Sequence, residues 1–131
     1  MNFPTELKYT REHEWVRKEG EIAAVGITEY AQEKLGSIVF VDLPSLGKSF
    51  QKGETLVTID SVKTVAEVYA PLSGEVVDAN QLLREHPELI NQDAYGQGWM
   101  VRMKISGSPD LGSLLTAEAY SAFVAEEEAK G

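Results

Sequence analysis

The sequence predicts a mainly β fold, a sandwich or barrel carrying small helices. Three observations predict it: many short apolar runs rich in β-branched residues, turn residues closing those runs at short intervals, and a helical stripe near the C-terminal end. No low-complexity linker divides the 131 residues, and no repeat of roughly 20–50 residues is visible. The chain is therefore read as one domain over 1–131, with a β core over about 7–106 and a helical segment over about 109–130.

The elements follow in order. Glu14 to Arg17 is a short strand, and Lys18-Glu19-Gly20 supplies a turn. Ile22 to Ile27 resumes the strand. Thr28 then caps a short helix from Glu29 to Leu35, which Gly36 is suited to end. Ser37 to Leu43 is a β-rich run stopped by Pro44, and Lys52-Gly53 turns the chain into Glu54–Asp60, where Leu56, Val57 and Ile59 favour a buried strand. Ser61 to Thr64 interrupts the pattern. Val65 to Tyr69 is the next strand, ended by Ala70-Pro71, and Gly74 precedes another at Glu75 to Ala79. Asn80 to Gly98 mixes Leu82, Leu83, Leu89 and Ile90 with Pro87, Asn91, Gly96 and Gly98, so a surface excursion with one helical turn is expected there. Trp99 to Ile105 alternates as a strand does. Ser108-Pro109-Asp110 is a helix start, Thr116 offers a second, and Tyr120, Phe123 and Val124 make an apolar stripe expected to pack on the β core.

Composition removes whole classes of function. Twenty-one acidic side chains against twelve basic ones leave a formal charge of −9, which argues against nucleic acid, whose phosphates need a surplus of Lys and Arg. The same charge suits a protein steered toward basic partner surfaces. There is no cysteine, hence no disulfide, thiolate metal site or cysteine nucleophile. No apolar run approaches the roughly 20 residues of a membrane span. The N-terminal residues Met1 to Glu6 carry neither a signal peptide nor an Arg-rich transit segment, so the expected location is the cytoplasm of a bacterial-type cell, with a mature mitochondrial protein as the alternative. His13 and His86 lie far apart and lack the spacing of a metal pair, and the glycines and serines form neither a phosphate loop nor a GxSxG elbow. No metal and no self-sufficient catalytic constellation is expected.

The positive signal is Ile59-Asp60-Ser61-Val62-Lys63-Thr64-Val65-Ala66-Glu67. Two β-type runs joined by about four residues make an antiparallel hairpin, whose tip projects into water. Ser61 suits the first position of a type I turn, with Val62 and Lys63 at its centre. An exposed valine gives such a turn nothing, so its place beside the only lysine of the tip suggests a surface read by another protein. Lysine is suited to tethering: its amine forms an amide with a carboxylic acid cofactor, and its four-carbon stem adds reach.

The string DSVKTVAEVYAPLSGEV resembles the lipoylation segment of glycine cleavage H proteins, and GITEYAQEKLGSIVFVDLP, Glu12-His13-Glu14-Trp15-Val16, INQDAYGQGWM, Leu111-Gly112-Ser113-Leu114-Leu115 and Ala119-Tyr120 resemble further segments of the same family. The resemblance runs from about Leu7 to Phe123. Asp60 departs from it, standing where the family usually has Glu and keeping the carboxylate one methylene shorter. The resemblance implies a lipoyl-domain-like β-sandwich or flattened barrel of two small sheets. It implies lipoate amide-linked to Lys63, with Asp60, Ser61, Val62 and Thr64 as the recognised turn. The implied work is relay: an aminomethyl group passes from a pyridoxal-phosphate glycine decarboxylase (P protein) to a folate-dependent aminomethyltransferase (T protein). Dihydrolipoamide dehydrogenase (L protein) then reoxidises the carrier, and a lipoyl-attaching enzyme loads it. Glu14 and Glu67, with Glu12 behind them, are the implied groove for the amine of the loaded arm. Two other carrier readings stand beside this one: a relay donating lipoyl groups to other 2-oxoacid dehydrogenase complexes, and a biotin carrier, which the Val62 and Thr64 flanks disfavour because that lysine typically lies between methionines.

Overall fold

The computed structural model describes residues 1–106 and 111–130. Nine strands form two antiparallel sheets among them. They are β1 (Lys8–Tyr9), β2 (Glu14–Glu19), β3 (Ile22–Ile27), β4 (Ile38–Asp42), β5 (Ser49–Phe50), β6 (Thr55–Ser61), β7 (Val65–Tyr69), β8 (Gly74–Ala79) and β9 (Val101–Ile105). The larger sheet has the order β1-β2-β3-β9-β8-β5 and the smaller β4-β6-β7. Four α-helices and one 3-10 turn (Leu111–Ser113) accompany them: α1 (Glu29–Leu35), α2 (Leu82–Glu85), α3 (Leu89–Gln92) and α4 (Ala117–Lys130). The mainly β architecture with short helices and a C-terminal helix is the one expected.

The core lies between the sheets. Val25, Ile27, Val76, Val101 and Met103 of the large sheet meet Ile38, Val41, Val57, Ile59 and Val68 of the small one. A second apolar layer covers the outer face of the large sheet, where Trp15 and Ala24 pack with Leu7, Tyr9, Tyr120 and Val124. The inner strand β3 is thus covered on both faces, which explains its near-continuous apolar run. The α4 stripe lands on this second layer as expected: Tyr120 is fully buried and Val124 nearly so. Tyr9 and Leu115 exchange two backbone hydrogen bonds of 2.8 and 2.7 Å, and the Thr116 hydroxyl accepts from Ala119 N–H at 3.1 Å to start the helix.

Several boundaries shift. β2 runs on to Glu19 because Lys18 and Glu19 pair with Ala23 and Ile22, leaving Gly20-Glu21 as the loop in place of the expected turn at 18–20. β4 and β9 are shorter than expected, and β6 extends to Ser61. The two-residue strands β1 and β5 went unanticipated, being too short to show a period. The stretch from Asn80 to Gly98 needs correction: it is not a surface excursion alone. It holds two single-turn helices, and Leu83 and Ile90 are fully buried in the main core. The expected helix start at 108–110 lies outside the described residues. No helix among the described residues is long and apolar enough to cross a membrane.

Candidate functional site

The hairpin β6–β7 carries Lys63 at its tip. Asp60 pairs with Val65 as the last rung, and Ser61 N–H donates to the Thr64 carbonyl at 2.8 Å. The Ser61 hydroxyl oxygen accepts from Lys63 N–H at 3.2 Å and from Thr64 N–H at 3.1 Å, while Val62 N–H donates to the Ser37 carbonyl at 3.0 Å. Every backbone donor of the tip is thereby satisfied. Val62 and Lys63 sit between Ser61 and Thr64, as the turn reading placed them, and Val62 is 67% exposed. Val65 (63%) and Phe40 (53%), which flank Asp60 across the strands, extend the exposed apolar surface.

The Lys63 stem lies across the end of α1. Its Nζ donates to the Lys34 carbonyl at a long 3.5 Å, and a Cβ built on Gly36 would stand 2.9 Å from Lys63 Cε. Gly36 ends α1 at φ 76°, ψ −155°, a region open to glycine. The same residue therefore terminates the helix and makes room for the stem. Asn91 of α3 fixes this segment from below. Its amide nitrogen donates to the Gly36 carbonyl at 2.8 Å and to Gln32 Oε1 at 2.9 Å, and its oxygen accepts from Ile38 N–H at 2.9 Å. Sequence reasoning missed Asn91, which looked like one of several loop breakers.

Lys34 also lines a cavity of about 260 Å³ bounded by α1, the start of β2, the inner residues Ile59 and Ala66, and Glu127 of α4. The three candidate glutamates all line it but in different states. Glu14 is 1% exposed, accepting from the Thr10 hydroxyl at 2.6 Å and from Tyr69 N–H at 3.1 Å. Burial pushes its carboxyl up to about 7, against the opposing effect of those two hydrogen bonds. Glu12 is exposed. Glu67 is exposed, its carboxylate accepting from the hydroxyls of Thr55 and Tyr69 at 3.3 Å each. Tyr69 thus joins the two: its N–H serves Glu14 and its phenol serves Glu67.

His13, set aside at the sequence level, also lines the cavity. It adopts a left-handed φ of 70°, held by its own N–H to the Thr10 carbonyl (3.1 Å) and by Thr28 N–H to its carbonyl (3.0 Å). Its Nδ1 lies 2.8 Å from the Tyr120 hydroxyl, which is 2.7 Å from the Thr28 hydroxyl capping α1. Its Nε2 lies 3.0 Å from Glu127. No sequence signal marks these partners, which are 107 and 114 residues away. His86 is exposed beside Glu88, and no cluster of three metal-ligating side chains occurs among the described residues.

The family model described as "Glycine cleavage H-protein" matches residues 7–127. The glycine cleavage system H proteins of Bacteroides thetaiotaomicron and Bacteroides fragilis are 55% and 54% identical over 124 residues, covering 95% of this chain and 98% of each relative. The crystal structure of a glycine cleavage system H protein from Mycobacterium marinum superposes with a TM-score of 0.83 at 35% identity, covering 96% of this chain and 99% of that one. The chain therefore belongs to the glycine cleavage H-protein family, non-catalytic lipoyl carriers that act as shuttles in one-carbon metabolism.

Proposed function

We propose that Lys63 is the lipoyl attachment residue, and that the chain carries an aminomethyl group on that arm from the glycine decarboxylase (P protein) to the folate-dependent aminomethyltransferase (T protein). Dihydrolipoamide dehydrogenase (L protein) closes the cycle, and a lipoyl-attaching enzyme reads the turn formed by Asp60, Ser61, Val62 and Thr64. One observation carries the reading: Lys63 is the lysine of an ordered hairpin tip, its amine engaged among the described residues only by a long bond to the carbonyl of Lys34, a residue that lines the cavity.

The residues fit an amide-linked group. No carboxylate within the described residues pairs with the Lys63 amine, so conversion to a neutral amide breaks no ion pair. When bound, a lipoyl group supplies the sulfurs that take the aminomethyl unit and the electrons. The chain's own residues hold and shelter. Lys63 tethers; Ser61 holds the tip; Ile59, Ala66 and Leu35 give the cavity apolar walls. Glu14, with Glu12 and Glu67 toward the rim, supplies carboxylates for a cationic amine, which water-excluded surroundings would otherwise disfavour.

Two measurements test this. Peptide-level mass spectrometry of the Lys63 fragment from the native organism is expected to show the lipoyl adduct, and glycine-dependent CO₂ exchange with the decarboxylase is expected to vanish in Lys63→Arg. Undiminished exchange in the arginine variant would end the assignment.

A further inference from the structure

The last turn of α4 is attached differently from the rest of that helix. Ala117, Tyr120 and Val124 anchor the first turns in the second apolar layer, but after Val124 no side chain up to Lys130 is buried. Polar contacts hold the end instead: Glu127 lies 3.0 Å from His13 Nε2, an ion pair when the ring is protonated, and accepts from the Tyr30 hydroxyl, while Glu128 pairs with Lys34 at 3.7 Å. His13 and Lys34 both line the cavity, as Glu127 does itself. They come from different walls, His13 from the segment before β2 and Lys34 from α1, so the helix end bridges the cavity from side to side. His13 is fixed from behind by Tyr120, which leaves Nε2 as its outward contact.

We propose that the last turn of α4 is a movable wall of the cavity, clipped shut by Glu127 on His13 and Glu128 on Lys34, and that this clip sets how long the loaded arm stays sheltered. The inference rests on the carrier reading of Lys63. The physical basis is the contrast in attachment. Opening the last turn withdraws no buried side chain of its own and breaks only partly exposed polar contacts, each of which shifts an equilibrium by a factor of roughly 1.5–5. Such a wall opens far more readily than the packed first turns, and salt weakens it because the Glu128–Lys34 pair is exposed on both sides.

The test compares Glu127→Gln/Glu128→Gln with a charge-matched control, Glu118→Gln/Glu126→Gln, whose glutamates are exposed on the same helix. Amide hydrogen exchange of residues 125–130 in the unmodified chain is expected to quicken about threefold or more in the clip variant and not in the control, and added salt is expected to quicken it in the parent. In the aminomethyl-loaded protein, hydrolysis of the cargo by water to formaldehyde and ammonium, with the thiol regenerated, is expected to quicken by a similar factor. Unchanged exchange overturns the clip. Faster exchange with an unchanged cargo lifetime overturns the wall. If Lys63 takes no lipoyl group, the carrier reading fails and the sheltering role falls with it, while exchange still decides whether the clip exists.

Discussion

Replacing Glu14 by glutamine should reverse the order of stability between acid and alkaline solution. Glu14 titrates near 7 in the fold against an ordinary 4.5, because its carboxylate is removed from water. Below about 4.5 both folded and unfolded chains carry the proton, and no penalty arises. Between the two values the unfolded chain has released its proton and the folded chain has not, so stability falls as pH rises, and it levels off above 7. At about 1.4 kcal/mol per unit the loss comes to roughly 3 kcal/mol. Glutamine does not titrate. At pH 5 it should match the parent or lose up to about 1 kcal/mol, since its amide nitrogen cannot accept from Tyr69 N–H. At pH 8 it should be the more stable by about 1–3 kcal/mol. Urea unfolding of both proteins at several pH values gives the difference, in which other titrating groups cancel. A difference that stays flat within about 0.5 kcal/mol from pH 5 to 8 would show that burial does not hold the proton on Glu14.

Two further substitutions test the packing behind the cavity. A Cβ on Gly26 would stand 2.7 Å from three ring atoms of Trp15, a fully buried indole whose N–H donates to the Ala94 carbonyl at 2.9 Å. Gly26→Ala should therefore cost about 2–4 kcal/mol from overpacking and a strained hydrogen bond, a fall of roughly 5–15 °C in the melting temperature. Tyr120→Phe removes the hydroxyl shared by His13 and buried Thr28. It should cost about 1–3 kcal/mol in urea unfolding and shift the His13 ring resonances, while leaving the Lys63 tip unchanged in amide chemical shift.

Local chemistry was legible in the sequence; assembly was not. The strands Ile22–Ile27 and Val65–Tyr69 and the helix Glu29–Leu35 appear with the boundaries expected, because a cap at Thr28, a glycine at 36 and β-branched runs are signals within a few residues. The tip of the β6–β7 hairpin was legible for the same reason. Leu83 and Ile90 were misread because each is the one inward residue of a single-turn helix, too short for a period, amid Pro87, Gly96 and Gly98. The cavity was out of reach. Glu12, Glu14 and Glu67 are the same residue type, and only the fold makes one of them a buried, proton-holding group and turns another to the hydroxyls of Thr55 and Tyr69. The Glu127–His13–Tyr120–Thr28 chain joins residues about a hundred positions apart, where no motif operates.

That division places order and mobility in different parts of the site. Fixing a loop residue costs roughly 1–2 kcal/mol in backbone entropy. At the tip, folding has already borne that cost for Val62, Lys63 and Thr64, whose N–H groups are held by Ser37 and Ser61. Any enzyme that reads this turn meets a shape formed beforehand, with Val62 exposed on it, and spares several kcal/mol of ordering on binding. The freedom that remains is in the Lys63 stem, restrained by one long bond to the carbonyl end of α1. A carrier visiting several catalysts needs that arrangement, since one rigid turn can be recognised repeatedly only if the moving part begins beyond its backbone.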